Sequence, residues 1–311
     1  MATTTDQAAK SSVNPIIDDA LKQFAAIDTD GHKKDLTGGD EYSDTTESHL
    51  QGFAAYGNYY LIAQNRHDHE KGKLYFFKAD TLEFKASMHF DGVPDNSQDG
   101  YKHAYNHPGG MQVIGDYLLV PIQTQNYAHS VVQLWDLSEL KKGSTAIELI
   151  NGDFLPGSND QRIGAIGIVN TGSGFVVAAG NNETIHIYTS SDTDITKAKF
   201  SLSFSTTKQL DAAGACLVTD KSGKIYLVAL GSNSTIISYD DIGILYEVDL
   251  ANKKISFVRE NGFESHSNEL GFTGVHFRWG AGIYFRDGPK LALMATQRAM
   301  EDPCTFNTWH S

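Results

Sequence analysis

Twelve histidines occur among the 311 residues, and two of them begin copies of the same pattern. His49 heads SHLQGFAAYGNYYLIA and His107 heads NHPGGMQVIGDYLLV, each followed by a glycine (Gly52, Gly110), an apolar run and a Gly-Asn-Tyr or Gly-Asp-Tyr turn. Arg162, Asp211 and His276 or Arg278 stand at the heads of three weaker copies. An imidazole exchanges protons near neutral pH, a guanidinium clamps an anion, and a carboxylate takes up a proton or a cation. The expected catalytic set is therefore His107 as proton-transfer group, His49 as its partner, Arg162 as clamp and Asp211 completing the ring. His103, His276, Arg278 and His129 are further candidates for contact with ligand. A divalent transition metal is the cofactor such a set could take, with His49 and His107 joined by His67 and His69. On a strand, the i, i+2 spacing of that second pair puts both rings on one side.

Side chains so far apart in sequence need a repeating frame. Each glycine-marked run is followed by a second apolar run, then an alternating third run, a polar turn and a final alternating run such as KASMHF or KISFV. Phe77, Trp135, Tyr188 and Val248 hold equivalent places in the third runs, about 57 residues apart. The first-run pattern continues as RIGAIGIV, DAAGACLV and RWGAGIYF, giving five units of four strands.

Four-stranded antiparallel units that begin with a strand of small residues resemble the blades of a β-propeller. The resemblance implies an all-β, five-bladed propeller over residues 48–311, with blades near 48–104, 105–160, 161–210, 211–270 and 271–311. Gly52, Gly110, Gly164, Gly214 and Gly280 are expected where first strands crowd the axis. In such a fold the loops entering first strands and those between second and third strands open on one face. His49, His103, His107, His266 and His276 belong to the first class, and His67, His69 and His129 to the second. Metal-dependent propeller oxygenases are similar in placing histidines around the axis, but Arg162 and Asp211 stand here where further histidines would be.

The fifth unit shows only three runs, ending in CTFNTWH, so its outer strand must come from residues 1–47. Val13 to Ile27 and Lys34 to Tyr42 are the available donors. The former also reads as a short helix capped by Asn14 with Pro15 in first position.

A formal charge of −13, without a Lys/Arg cluster, argues against nucleic acid and anionic membranes as partners. Two cysteines make neither a disulfide framework nor a zinc site. No run has the length of a signal core or a membrane span, so a soluble, cytoplasmic protein is expected. DTDGHKK lacks the acidic first and twelfth residues of a calcium loop, and no G-x-S-x-G elbow or phosphate-binding glycine loop is present. Paired carboxylates for glycoside hydrolysis would need Asp211 with Asp95, Asp99, Glu264 or Glu269, all in loops of an acidic protein. The expected function is that of a hydrolase or lyase acting on a small polar or anionic molecule at one axial site. The alternatives are a lectin-like binding propeller and a protein scaffold. A ring reading His, His, Arg, Asp and then His or Arg favours one central site over equivalent sites in every unit.

Overall fold

The computed structural model describes residues 11–38, 48–65, 71–94, 105–158, 161–181, 183–207, 213–269 and 271–311. After a one-and-a-half-turn helix α1 (Ala20–Ala25) and strand β1 (His32–Leu36), the chain is a succession of antiparallel meanders. The first holds β2 (Leu50–Tyr56), β3 (Tyr59–Gln64), β4 (Lys73–Lys78) and β5 (Phe84–His89). The second holds β6 (Tyr105–Pro108), β7 (Gln112–Ile114), β8 (Tyr117–Thr124), β9 (Ser130–Asp136) and β10 (Glu148–Asn151), with β6 and β7 both pairing β8 as one interrupted inner strand. The third holds β11 (Ala165–Asn170), β12 (Phe175–Gly180), β13 (Ile185–Ser190) and β14 (Ser201–Thr206). The fourth holds β15 (Gly214–Thr219), β16 (Ile225–Ser234), β17 (Tyr239–Asp249) and β18 (Lys254–Phe263). The last holds β19 (Ala281–Arg286), β20 (Lys290–Thr296) and β21 (Cys304–His310). A parallel pairing of Ala281 with Gly52 merges the last and first meanders into one eight-stranded sheet. The chain is thus all-β, and its architecture is of the propeller type.

Phe77, Trp135, Tyr188 and Val248 all lie on third strands and are buried between sheets. Second and third strands read as nearly continuous apolar runs because sheets cover them on both faces. Fourth strands alternate or lie open, as in the pattern of β18.

The inner strands touch through their backbones. Gly110 N–H donates to the Gly164 carbonyl at 2.9 Å, and Ile166 N–H returns a bond to Gly110 at 3.0 Å. A Cβ added to Gly110 would overlap the Ala213 carbonyl, and one added to Gly282 would overlap that of Phe53. Only glycine permits that approach. Two of the expected axial glycines behave differently. Gly280 packs on Thr296 of its own meander, and Gly164 contributes its carbonyl rather than close packing at its own Cα. Gln112, 1% exposed, stitches three inner strands. Its Oε1 accepts the amides of Ile168 (2.6 Å) and Leu217 (3.0 Å), and its Nε2 donates to Leu217 O (3.2 Å).

The N-terminal segment is a strap across the other end of these strands. Ser11 exchanges bonds with Asp116, accepting from its amide at 2.7 Å and donating to its carboxylate at 2.6 Å. Gly115, at φ +56, leaves no room there for a side chain. Asn170 donates to Ser12 O, and Ile17 bridges Thr219 and Lys221. The helix therefore starts later than the Asn14-Pro15 reading expects. Pairing with Asp220 holds Ile17 extended, and Asp19 caps α1 by accepting Lys22 N–H at 2.8 Å. Phe24 of α1 is fully buried, and its carbonyl accepts Asn261 Nδ2. The chain then supplies β1 as the outer strand beside β21, in register from His32–Thr308 to Leu36–Cys304. Thr37 continues onto Leu82 and Phe84 of the first meander. Residues 39–42, part of the expected donor, lie outside the described residues.

Two outcomes test this frame. Gln112→Leu should cost about 2 to 4 kcal/mol in urea unfolding, because the Ile168 and Leu217 amides would be left buried without acceptors. Deleting residues 1–38 should uncover the β21 edge, lower the melting temperature by more than about 10 °C and promote association visible in size-exclusion chromatography.

Candidate functional site

Where the inner strands begin, the chain encloses a cavity of about 390 Å³ lined by His49, His107, Gln123, Tyr127, Arg162 and Arg278, with Gln51, Asn181, Glu183 and Ser232 around them. The rings of His49 and His107 meet edge to face, 5.3 Å between centroids. Tyr127 lies edge-on to His107 at 4.8 Å, and Trp279 edge-on to His49 at 5.4 Å.

His107 is 5% exposed, on strand β6 rather than in an open loop. Burial drives its pKa well below the ordinary imidazole value, and His49 and the positive Arg278 push in the same direction. It is neutral at physiological pH. Asn65 fixes its tautomer. The Asn65 carbonyl oxygen accepts the His49 amide at 2.6 Å, which turns its NH₂ toward His107 Nδ1, 3.3 Å away. Nδ1 is then the acceptor and Nε2 carries the proton, so His107 is a neutral donor through Nε2.

Arg162 and Arg278 are exposed residues on the cavity wall. Gln123 holds the Arg162 backbone by donating to its carbonyl at 3.0 Å. Both Arg162 (φ +50) and Tyr127 (φ +57) adopt the left-handed backbone that such side chains disfavour. Each such residue costs about 1 to 3 kcal/mol, and strain of this kind concentrates where function requires a fixed geometry. With His107 neutral, two guanidiniums face the single described carboxylate of the lining, Glu183. Among the described residues the lining therefore carries two guanidiniums against one carboxylate, in a chain of formal charge −13.

Of the residues expected from sequence, His49, His107, Arg162 and Arg278 meet in this cavity. Asp211, His103, His67 and His69 lie outside the described residues. His129 sits in the turn between β8 and β9, where its backbone pairs with Thr124, and is not part of the lining. His276 also lies away from the lining, buried, with Nδ1 3.1 Å from Asp241. The buried Asp241 carboxylate needs donors on every lone pair, and His276 is one of them. Among the described residues no group of three or more His, Cys, Asp or Glu side chains is placed to hold a metal. Glu264 and Glu269, considered above as partners for Asp211, are absent from the lining.

The amide side chains that hold these segments are not among the residues expected from sequence. Asn65, Gln123 and Asn181 each stand six residues beyond the aromatic that opens a second strand, namely Tyr59, Tyr117 and Phe175. Each anchors a chain entering an inner strand, through His49, Arg162 and Gln161 respectively. A polar residue ending an apolar run at a fixed place in the repeat was the available signal.

No protein-family model and no curated protein matches the chain. Solved structures similar to it include a thermostable family-43 glycoside hydrolase, at 11% identity over 88% of this chain and 91% of that one, with a TM-score of 0.46. A β-1,2-mannobiose phosphorylase from Listeria innocua aligns at 12% identity over 89% and 94%, with a TM-score of 0.47. The Dos1 propeller aligns at 12% identity over 88% and 70%, with a TM-score of 0.39. No helix among the described residues is long and apolar enough to cross a membrane.

The state of His107 is open to direct measurement. In a ¹⁵N NMR titration, its ring should show a protonated Nε2 and bare Nδ1 at pH 7. It should remain neutral as pH falls through about 6.5, where a free imidazole is half charged.

Proposed function

We propose that the meanders form a five-bladed propeller whose axial cavity binds a small anionic molecule and acts on it by acid–base chemistry of the hydrolase or lyase type. The observation that carries this reading is the pairing of Arg162 and Arg278 with a buried, neutral His107 in one cavity. Guanidiniums supply charge and fork geometry for a carboxylate or phosphate. The Nε2–H of His107 offers a proton or a hydrogen bond where negative charge develops on a ligand oxygen, and a neutral donor does this without a competing charge of its own. His49, half-buried beside it, is placed to exchange protons with solvent. Two imidazoles and two guanidiniums lining one cavity suit an anion better than a divalent cation, so a metal is no part of the proposal. Non-catalytic capture of the same anion is the alternative, and turnover separates the two.

Isothermal titration with small mono- and dicarboxylates and phosphate monoesters tests the reading. Arg162→Ala and Arg278→Ala should each weaken the best ligand about 10- to 100-fold, with a melting temperature within about 2 °C of the parent because both side chains are exposed. His107→Gln should remove turnover more than binding. Equal affinity in the double arginine variant would refute the proposal.

A further inference from the structure

Strands β16 and β17 run to 10 and 11 residues, against 6 in β12 and β13, so their hairpin projects beyond its sheet. At its tip, Ser238 Oγ lies 3.2 Å from His276 Nε2, and His276 Nδ1 lies 3.1 Å from Asp241 Oδ2. The carboxylate is fixed from all sides. Its Oδ1 accepts Ser232 O–H at 2.6 Å and Phe277 N–H at 2.8 Å, and its Oδ2 also accepts Ser265 O–H at 2.7 Å. A hydroxyl, an imidazole and a buried carboxylate in that order are the elements of an activated serine nucleophile, which is recognised by geometry rather than by sequence position.

We propose that Ser238, His276 and Asp241 form a catalytic triad that hydrolyses carboxylic esters bearing an apolar group. The apolar specificity comes from the tip itself. Ile236 and Ile237 are 96% and 77% exposed, and Phe272 is partly exposed beside the ring of Tyr239, 5.1 Å away. Exposed isoleucines flanking a nucleophile offer a surface for an acyl or alkyl chain. Ser238 N–H is held by Thr235 Oγ1 at 3.0 Å, while the Ile236 and Ile237 amides have no hydrogen bond among the described residues and remain as donors for an oxyanion.

In the reaction, Ser238 Oγ forms a bond to the ester carbonyl carbon while its proton passes to His276 Nε2. The tetrahedral adduct collapses by breaking the bond to the alcohol oxygen, which takes the proton from Nε2. Water then attacks the acyl-serine, giving its proton to Nε2. The carboxylic acid leaves as Ser238 recovers that proton. No metal, cofactor or oxidant is needed.

His276 must be neutral for this. Burial would lower its pKa, but the hydrogen bond and charge of Asp241, with the Gly271 carbonyl 3.0 Å from Nε2, raise it above the ordinary value. Among the described residues, Asp241 on β17 and the Tyr239 ring, 5.3 Å away, are the titratable groups facing it. In the imidazolium form, Nε2–H donates to the Gly271 carbonyl. Once that proton is lost the carbonyl can no longer be its partner, and Ser238 O–H takes its place. Esterase activity should therefore rise with pH through a pKa above about 6.5 and then level off.

The test is fluorophosphonate labelling of the full chain between pH 6 and 9, with peptide mass spectrometry, alongside hydrolysis of p-nitrophenyl acetate, butyrate and octanoate. The expected result is one adduct, on Ser238, and turnover that favours the longer chains. Ser238→Ala should lose both while melting like the parent. Arg162→Ala and Arg278→Ala should keep the labelling, which separates this proposal from the anion site. Ser238→Cys gives a second measurement, since the native Cys216 and Cys304 are buried. Its iodoacetamide alkylation should exceed that of a free thiol and follow the pH profile set by His276. Absent labelling, labelling elsewhere, or ester turnover that survives in Ser238→Ala would overturn the triad and leave His276 as a structural tie.

Discussion

The narrow meeting of the inner strands is the constraint from which the rest of the structure follows. Backbones pack against backbones there, so side chains are excluded at Gly110 and Gly282 and the exposed ladder groups must find partners across meanders. Gln112 answers that need with one buried amide serving β11 and β15. The axis is thus polar in its bonding and apolar in its packing. The cavity opens at the end where this tight packing is relieved.

That relief is what lets His107 be buried and still line the cavity. Its surroundings keep it neutral, and Asn65 selects the nitrogen that carries the proton, so the ring presents a donor of fixed direction. The second-strand amides do the same for the backbone, holding His49 and Arg162 from strands that are themselves locked between sheets. Asp241 works by the same logic on the neighbouring hairpin, gathering two serine hydroxyls, an amide and His276 around one carboxylate.

Much of the frame was legible in the sequence because meanders advertise themselves. The repeating Gly-Asn-Tyr and Gly-Asp-Tyr turns put Gly57 and Gly115 at the same positive φ, and the equivalent apolar positions all land on third strands. Four of the expected site residues converge for the same reason, being heads of the same strand in different repeats. His276 could not be placed in this way. It is two residues from Arg278, and only the buried Asp241, far from it in sequence, decides that its ring turns from the cavity. The helix starts later than its capping residues suggest because capping preferences are local, whereas Ile17 is held extended by Asp220 in the fourth meander.

The seam between β1 and β21 also bears on how the molecule comes into being. Thr305 donates to Asp35 across it, and these residues are 270 apart in the chain. During synthesis β1 emerges early, yet its partner is made only after the intervening meanders have left the ribosome. Each meander can collapse locally as it appears, but the strap and the outer strand must wait. Joining ends so distant in sequence is a slow closure that comes late. From the making of β21 until that closure its outer edge stands unpaired, and this is the interval in which a chaperone would matter most.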